Sequence, residues 1–271
     1  MNRANIVPDP LWQAIRDEAV LLTQNEPLLA SFFYSTILNH DTLEAAISFH
    51  LANKLDSATM PAMVIREIIQ NALQVDAKIG HAIRCDIKAI KERDPVCRNL
   101  STPFLYFKGF HALQAYRVAH WLWQNGRESL ALFFQNQISV VFAVDIHPAA
   151  KIGCGVMLDH ATGIVIGETA VVEDNVSILQ NVTLGGTGKE VGDRHPKIRK
   201  GVLIAAGAKI LGNVVVGEGV KVGAGSVVLK EVPPHVTVVG VPAKIVGNPG
   251  VEQPALSMCQ TLSDNERDES L

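Results

Sequence analysis

An aliphatic residue returns every six positions through most of the C-terminal half of this chain, and this period constrains the fold more than any other feature. It begins at Val140, Ile146, Ile152 and Leu158, slips by two residues, and resumes at Ile166. Ordinary β-rich sequence would not hold one register for about 90 residues, so the period indicates a repeat architecture. The later starting positions, all Ile, Leu or Val, are Val172, Ile178, Leu184, Ile198, Ile204, Ile210, Val216, Val222 and Val228.

Such a period predicts a solenoid in which each hexapeptide forms a short strand and a corner. Three hexapeptides close one triangular turn, and successive turns stack about 4.8 Å apart, so that Val140 would lie over Leu158. The composition agrees with a narrow prism. All fifteen aromatic residues lie at or before Phe142, whereas eighteen of the 21 glycines follow residue 139. Glycine suits tight corners, because it adopts positive φ without steric cost.

The residues before the repeat read as successive helices. Asp9-Pro10 places a capping side chain before a proline at the first helical position, and Leu11, Ile15 and Ala19 then recur on one face. We therefore predict an α+β multidomain chain with an all-α domain over residues 1–139 and a parallel β-helix over 140–250. Residues 251–271 carry a net charge of −4 and are expected to form a flexible acidic tail.

Several classes of protein are disfavoured. The net charge of −3 comes with scattered basic residues, which gives no footprint for nucleic acid. The N-terminal sequence lacks the apolar region of a signal peptide, and no stretch approaches the length of a membrane span, so we expect a cytoplasmic protein with no membrane partner. The four cysteines, Cys85, Cys97, Cys154 and Cys259, are isolated in the sequence and predict neither a disulfide framework nor a metal site.

One interruption of the repeat is long. Leu184 and Ile198 are fourteen positions apart where the period needs six, so the segment GGTGKEVGDRHPK must leave the prism as a loop. Arg194 and His195 lie in it, and such a pair would suit an anionic group, although a solvated charged loop would look the same. The glycines resemble a phosphate-binding loop without completing its pattern, so ATP binding is disfavoured, while their amides could still polarise a carbonyl.

A second candidate site is the corner at LDHATG. His160 follows the inward-facing Leu158, and Asp145 precedes the inward-facing Ile146 one turn away. A carboxylate that reaches the imidazole would fix its tautomer and stabilise its protonated form, as a general base acting on a hydroxyl requires. The spacing alone is equally compatible with a polar surface corner.

The segments DIHPAAKIGCGVMLDHATGIVIGETA, VSILQNVTLGGTGKEVGDRHPKI and GVPAKIVG strongly resemble serine O-acetyltransferases of bacterial cysteine biosynthesis. The helical segments RDPVCR and STPFLYFKGFHALQAYRVAHWLW extend the resemblance to about residues 10–250. It implies a left-handed β-helix and direct transfer of acetyl from acetyl-CoA to L-serine. His160 would be the general base and Asp145 its orienting carboxylate. Asp94 and Asp159 would lie near the substrate amino group, and Arg194 with His195 would contact its carboxylate end.

The resemblance also implies ligands and partners. Active sites would lie between neighbouring prisms of a homotrimer, two trimers would pair through their helices into a hexamer, and L-cysteine would inhibit in the serine site. No cysteine matches a nucleophile, so no acyl-enzyme is expected. The C-terminal tail, ending in Leu271, would bind O-acetylserine sulfhydrylase. Candidate contacts to CoA are Gly186, Ala206, Ala224, Lys221 and Lys244.

Three alternatives keep the fold and change the role. A carbonic anhydrase of the β-helix class would bind a metal through three histidines, but His147 falls on a different stretch of prism from His160. A related acetyltransferase would use another acceptor, such as a sugar, an antibiotic or homoserine, and would not need Asp94. In a non-catalytic scaffold, the replacement of His160 by alanine would not change acetyl-CoA turnover.

Overall fold

The computed structural model describes residues 9–189 and 191–262, and its N-terminal part is helical as the sequence predicts. Asp9 caps the first helix, because its Oδ1 accepts hydrogen bonds from the backbone N–H of Leu11 and Trp12. A 3-10 turn at Pro27–Leu29 and a π-helical turn at Tyr34–Leu38 interrupt the series. The helices are α1 (Pro10–Asn25), α2 (Ala30–Phe33), α3 (Leu43–Leu55), α4 (Ala62–Val75), α5 (Ala77–Arg93), α6 (Ser101–Tyr106), α7 (Lys108–Gln124) and α8 (Glu128–Phe142).

The aromatic side chains fill the core of this helical region. Phe33, Phe104, Phe110, Tyr116 and Phe134 are all fully buried there. Within the described residues no helix is both long enough and apolar enough to cross a membrane.

Short parallel strands follow and stack into a three-sided solenoid. Successive strands rotate among a first, a second and a third face, and the first face holds five strands, one for each turn. The first-face strands are β1 (Val144–Ile146), β4 (Ile164–Ile166), β7 (Thr183–Gly185), β10 (Lys209–Leu211) and β13 (Val227–Val228). The second-face strands are β2 (Lys151–Ile152), β5 (Val171–Val172), β8 (Lys197–Ile198) and β11 (Val215–Val216). The third-face strands are β3 (Met157–Leu158), β6 (Ser177–Ile178), β9 (Leu203–Ile204), β12 (Lys221–Val222), β14 (Thr237–Val239) and the antiparallel β15 (Lys244–Gly247).

The repeated aliphatic residues line the interior of the prism. Ile204 pairs in register with Val222, and Ile210 with Val228, eighteen residues apart as the period requires. Ile204, Ile210 and Val222 are fully buried. The predicted fold class, a helical region followed by a parallel β-solenoid, is confirmed.

The prediction that Val140 begins the solenoid is wrong. Val140 lies in the last turns of α8 and its side chain is 72% exposed. The chain leaves the helix at Ala143, which adopts a left-handed backbone conformation, and Val144 supplies the first buried aliphatic of the prism. Spacing alone misassigned Val140, because this aliphatic residue also fits the run ISVVF at the end of helix α8.

Helices α5 and α7 pack directly against the first turns of the solenoid. A Cβ atom on Gly109 would lie 2.0 Å from the carbonyl oxygen of Leu158, so α7 approaches β3 more closely than any other residue would permit. Arg93 Nη1 donates to Ser177 Oγ at 3.1 Å. A buried ion pair, Arg117 Nη2 to Asp86 Oδ2 at 2.7 Å, joins α7 to α5. These contacts hold the end of α5 beside the corner that follows β3.

The described part of the C-terminal segment packs against the third face instead of forming the flexible tail expected for it. Pro254–Ser257 forms a short helix, α9, in which Ala255 is fully buried. The carbonyl of Ala255 accepts a hydrogen bond from Ser177 Oγ at 3.0 Å. Leu271 and the rest of the tail from residue 263 lie outside the described residues, so the predicted contact of the terminus is untested.

Candidate active site

The two-residue slip of the repeat forms the corner that carries His160. Strand β3 pairs with β6 at a spacing of twenty residues instead of eighteen, and the additional residues lie between β3 and β4. His160 (φ 55°) and Ala161 (φ 63°) both adopt the left-handed conformation there. Ala161 is buried beneath the corner, whereas the His160 side chain is 74% exposed. The insertion therefore projects an imidazole from the prism.

A cleft of about 380 Å³ beside this corner brings three predicted residues together. Asp94, at the end of α5, lines the cleft with Asp159 and His160. His160 Nε2 lies 3.9 Å from Asp159 Oδ2. Burial raises the pKa of Asp159, His160 opposes that shift, and the nearby charge of Asp94 adds to it. Two neighbouring carboxylates, one of them partly desolvated, form a site suited to an ammonium group.

Lys108 also lines the cleft and was not identified from the sequence. Its Nζ donates a hydrogen bond to Thr162 Oγ1, which ties the start of α7 to the inserted corner. A lysine at a helix start carries no distinctive spacing signal. Only the approach of α7 to the corner reveals its position.

The second cluster is on the long loop between β7 and β8. Arg194 Nη2 lies 2.6 Å from Glu168 Oε2, and the backbone N–H groups of Arg194 and His195 donate to Thr169 Oγ1 at 3.0 and 3.1 Å. Glu168 and Thr169 were also missed, because GET reads as an ordinary solenoid corner. They anchor the returning strand of the loop.

His195 is held in a defined orientation by the same corner. Its Nδ1 accepts a hydrogen bond from the backbone N–H of Thr169 at 3.2 Å, which leaves Nε2 as the donor of the neutral ring. Burial and then the charge of Arg194 lower the pKa of His195, so the neutral ring is favoured. A Cβ on Gly167 would lie 2.1 Å from Nε2, so the ring occupies space that only glycine leaves open.

The charge of Asp145 acts on His147, which lies beside this second cluster. Its Oδ1 accepts a hydrogen bond from Gln135 Nε2 at 2.7 Å, and within the described residues it makes no contact with His160. Asp145 and Glu168 both act to raise the pKa of His147, although burial leaves that pKa below its usual value. The expected pairing of Asp145 with His160 is therefore not formed inside a single chain.

The two clusters lie on opposite edges of the first face. His160 lies between the third and first faces, on what we call the His160 edge, and Ala206 and Ala224 occupy the same edge in later turns. His147, Glu168, Arg194 and His195 lie between the first and second faces, on the Arg194 edge. The strands separating these edges are about three residues long, or roughly 10 Å.

The predicted CoA contacts divide between the edges. Ala224 is exposed on the His160 edge, and the carbonyl of Ala206 accepts from the N–H of Gly225 at 2.8 Å. Lys244 is exposed and pairs with Val239 near the far end of that edge. Gly186 lies on the Arg194 edge, where a Cβ would be 3.7 Å from His195 Nε2.

Lys221 does not occupy the position expected of a contact to CoA phosphates. It is 4% exposed on β12, and its Nζ donates to the carbonyl of Thr261 at 2.9 Å. The C-terminal segment, folded back along the third face, covers it. From the sequence alone, a lysine in a strand is expected to be exposed. Lys221 is buried because the C-terminal segment passes over it.

Comparisons with known proteins identify the family of this chain. The family model for the N-terminal region of serine acetyltransferases matches residues 11–115, and the model for the bacterial transferase hexapeptide (six repeats) matches residues 195–230. The serine acetyltransferase of Salmonella typhimurium is 62% identical over 250 residues, 92% of each chain. The crystal structure of the Vibrio cholerae enzyme has 63% identity and a TM-score of 0.92, covering 93% of this chain and 98% of that one.

Solved structures of similar proteins include complexes. A serine acetyltransferase in complex with cysteine is 60% identical, with a TM-score of 0.92 over 93% of this chain and 98% of its own. The Brucella abortus enzyme in complex with coenzyme A is 54% identical, with a TM-score of 0.88 over 89% and 96%. The identity and coverage of these relatives extend through both the helices and the solenoid. This chain is therefore an acyltransferase and belongs to the serine acetyltransferase family.

Proposed function

We propose that this protein transfers the acetyl group of acetyl-CoA to the hydroxyl of L-serine, giving O-acetyl-L-serine and CoA. The observation that carries the proposal is the meeting of Asp94 and Asp159 beside His160 in one cleft. Two carboxylates suit the ammonium group of an amino acid, and the imidazole beside them suits its hydroxyl. A sugar acceptor would have no positive group for these carboxylates.

The chemical step can be carried by groups drawn from two copies of this chain. His160 takes the proton of the serine hydroxyl as the oxygen attacks the thioester carbonyl carbon, and a tetrahedral oxyanion forms. When the carbonyl re-forms, the C–S bond breaks and the CoA thiolate receives the proton from His160. Backbone N–H groups near Gly186, on the Arg194 edge of the adjacent copy, would stabilise the oxyanion.

We further propose that each site is completed by a neighbouring prism of a homotrimer. The ammonium and carboxylate groups of one serine are less than about 4 Å apart, whereas the edges of one first face are separated by roughly 10 Å. Because Arg194 is also held in an ion pair with Glu168 on its own edge, we infer that one serine does not bridge Asp159 and Arg194 of the same chain. An adjacent chain would supply Arg194, His195 and the Asp145 carboxylate that orients His160.

The groove between the two prisms would hold acetyl-CoA. Ala206 and Ala224 offer backbone groups along the His160 edge, and Lys244 is exposed toward the phosphates at its far end. Lys221 would take part only if the C-terminal segment moved from the third face.

L-cysteine carries the same ammonium and carboxylate groups as serine, so we propose that it competes for the same site. A structural relative has been solved as a cysteine complex. Competition is tested by titrating cysteine at several serine concentrations, with a rise in serine KM expected. An unchanged serine KM at saturating cysteine would contradict the shared site.

Trimers are proposed to pair through the helical region. Apolar side chains at the end of α1 and in the following turn are exposed in the single chain, among them Leu21 (58%) and Leu28 (93%). Replacing Leu28 with Glu should convert hexamers to trimers in sedimentation experiments. The proposed partnership of the tail with O-acetylserine sulfhydrylase is tested by calorimetry with a peptide ending in Leu271, where the absence of heat would contradict it.

The overall assignment is tested by measuring CoA release with L-serine, homoserine, a sugar and an aminoglycoside as acceptors. L-serine should give the highest kcat/KM, and His160→Ala should lower kcat by about 10²- to 10⁴-fold. A preference for another acceptor would overturn the substrate, and equal rates for the two proteins would overturn catalysis by His160.

A further inference from the structure

Three potential metal ligands meet at the remaining edge of the prism, between the second and third faces. His81 and Cys85 are one helical turn apart on α5, and Cys154 lies in the corner between β2 and β3. Their ligand atoms all lie within 4.8 Å of one another. Cys85 Sγ is 3.4 Å from His81 Nε2. The two cysteines are distant in sequence and are brought together only by the packing of α5.

The elements that carry these ligands are rigidly joined. Asp86, next to Cys85, is fully buried; its Oδ2 accepts from Arg117 Nη2 at 2.7 Å and its Oδ1 from the backbone N–H of Val156 at 2.9 Å. Arg117 Nη2 also donates to the carbonyl of Gly153 at 2.7 Å. Metal sites need this kind of support, because supporting hydrogen bonds fix the separation of the ligands before a metal binds.

The Asp174 carboxylate, a possible fourth ligand with a negative charge, lies beside the cluster. Asp174 Oδ1 accepts from the N–H of Cys154 at 2.7 Å, and a Cβ on Gly153 would be only 2.3 Å from that oxygen. A bound cation would stabilise the thiolate form of Cys154 as its ligand.

The cluster is also accessible. A cavity of about 560 Å³ between α5, α7 and the first turn of the solenoid is lined by His81 and Cys154, together with Asp76, His120 and Trp121. Cys85 and Cys154 are partly exposed and His81 is exposed. A hydrated ion can therefore enter without unfolding of α5.

We propose that His81, Cys85 and Cys154 bind a divalent cation of the zinc class in a site separate from the acetyl-transfer cleft. Two thiolates and one imidazole supply three tetrahedral positions, and water or the Asp174 carboxylate takes the fourth. Magnesium and calcium would be excluded by the sulfur ligands. The two thiols release their protons to solvent as the metal binds. The ion would join α5, whose C-cap is Asp94, to the first turn of the solenoid.

This inference does not depend on the proposed acetyl transfer, and its test does not use activity. The reduced full-length protein is titrated with Co²⁺, and a thiolate-to-cobalt absorption band together with the intense visible bands of a tetrahedral site is expected, displaced by Zn²⁺. Because two protons leave, the apparent Kd should fall by up to about 100-fold per pH unit. Bound Zn²⁺ should protect two thiols from a thiol-reactive reagent and raise the Tm.

Matched variants decide between this site and adventitious binding. Cys85→Ser and Cys154→Ser should lose the thiolate band, and His81→Asn should weaken binding by roughly 10- to 100-fold, whereas Cys259→Ser should bind as the wild type does. Circular dichroism of each variant establishes that it is folded; if Cys154→Ser fails to fold, Cys85→Ala replaces it. A thiolate band that survives in Cys85→Ser, or no binding by the reduced wild type, would overturn the proposal. Formation of a Cys85–Cys154 disulfide in a protein that binds no metal when reduced would overturn it as well.

Discussion

The two interruptions of the hexapeptide repeat differ in length, and each produces one edge of the proposed site. The short one inserts two residues in left-handed conformations and leaves the His160 side chain 74% exposed. The long one loops out, returns through hydrogen bonds to Thr169, and leaves His195 only 7% exposed. The loop thus orients its own groups, whereas the short corner projects His160, for which the described residues supply only Asp159 as an ion-pair partner, at 3.9 Å.

This contrast explains why a regular solenoid can carry a specific site. The repeat supplies flat faces with fixed edges, and departures from it place reactive groups at known heights along those edges. The Arg194 edge is prearranged, while the His160 edge depends on the helical region and, as we propose, on a second chain. The following variants separate the two edges.

The largest effect is expected at Gly167, on the Arg194 edge. Gly167→Ala would place a Cβ 2.1 Å from the His195 ring and displace it, so kcat/KM for serine should fall by roughly 100-fold. Gly185→Ala is the matched control, because its Cβ would meet only side-chain methyl groups at 3.1 and 3.3 Å. Steady-state kinetics of both variants check this, and equal kcat/KM values would show that the position of His195 is unimportant.

Arg194→Gln should act mainly on serine binding. The loss of a charge-assisted contact to the serine carboxylate should raise the serine KM by about 10- to 100-fold with a smaller change in kcat. Arg199→Gln removes a comparable arginine from an exposed pair with Glu173, at 2.7 Å, and should leave KM near the wild-type value. A loss of kcat with unchanged KM would assign Arg194 to the chemical step instead.

Asp94→Asn tests the His160 edge and should raise the serine KM by about 10-fold. The charge of Asp94 raises the pKa of Asp159, so its removal lowers that pKa. Ammonium binding requires the ionised form of Asp159, which persists above its pKa, and the acidic limb of the kcat/KM profile should therefore move to lower pH. Glu92→Gln, an exposed change near the same end of α5, should leave the limb in place. A limb that Asp94→Asn does not move would contradict the coupling.

The smallest departure from wild type is expected when the two edges are inactivated in different chains. His160→Ala and Arg194→Gln chains, co-expressed and mixed at random, should recover about one quarter of the wild-type activity, because one site in four would combine two intact edges. Each variant alone supplies the baseline. No recovery in verified mixed trimers would show that both edges serve a site within one chain.

Much of the proposed site was visible in the sequence because its residues interrupt a regular pattern. The period located the loop that carries Arg194 and His195, and the slip of two residues marked the corner of His160. Glu168, Thr169 and Lys108 gave no comparable signal, since each sits at an ordinary position and acquires its role from a partner distant in sequence. Val140 was assigned to the wrong element for the opposite reason, because its aliphatic side chain fits the hydrophobic pattern of a helix as well as that of a solenoid.

By itself the sequence determined that a helical region holds the aromatic residues and that a narrow prism of stacked aliphatics follows, since both are set by local periodicity and side-chain volume. Tertiary structure alone decided that Asp94 meets Asp159, that Lys221 is covered by the C-terminal segment, and that Cys85 meets Cys154. These juxtapositions depend on how helices and the returning chain pack on the third face. Packing between distant segments is fixed by surface complementarity, as at Gly109 and Leu158, which no repeat in the sequence encodes.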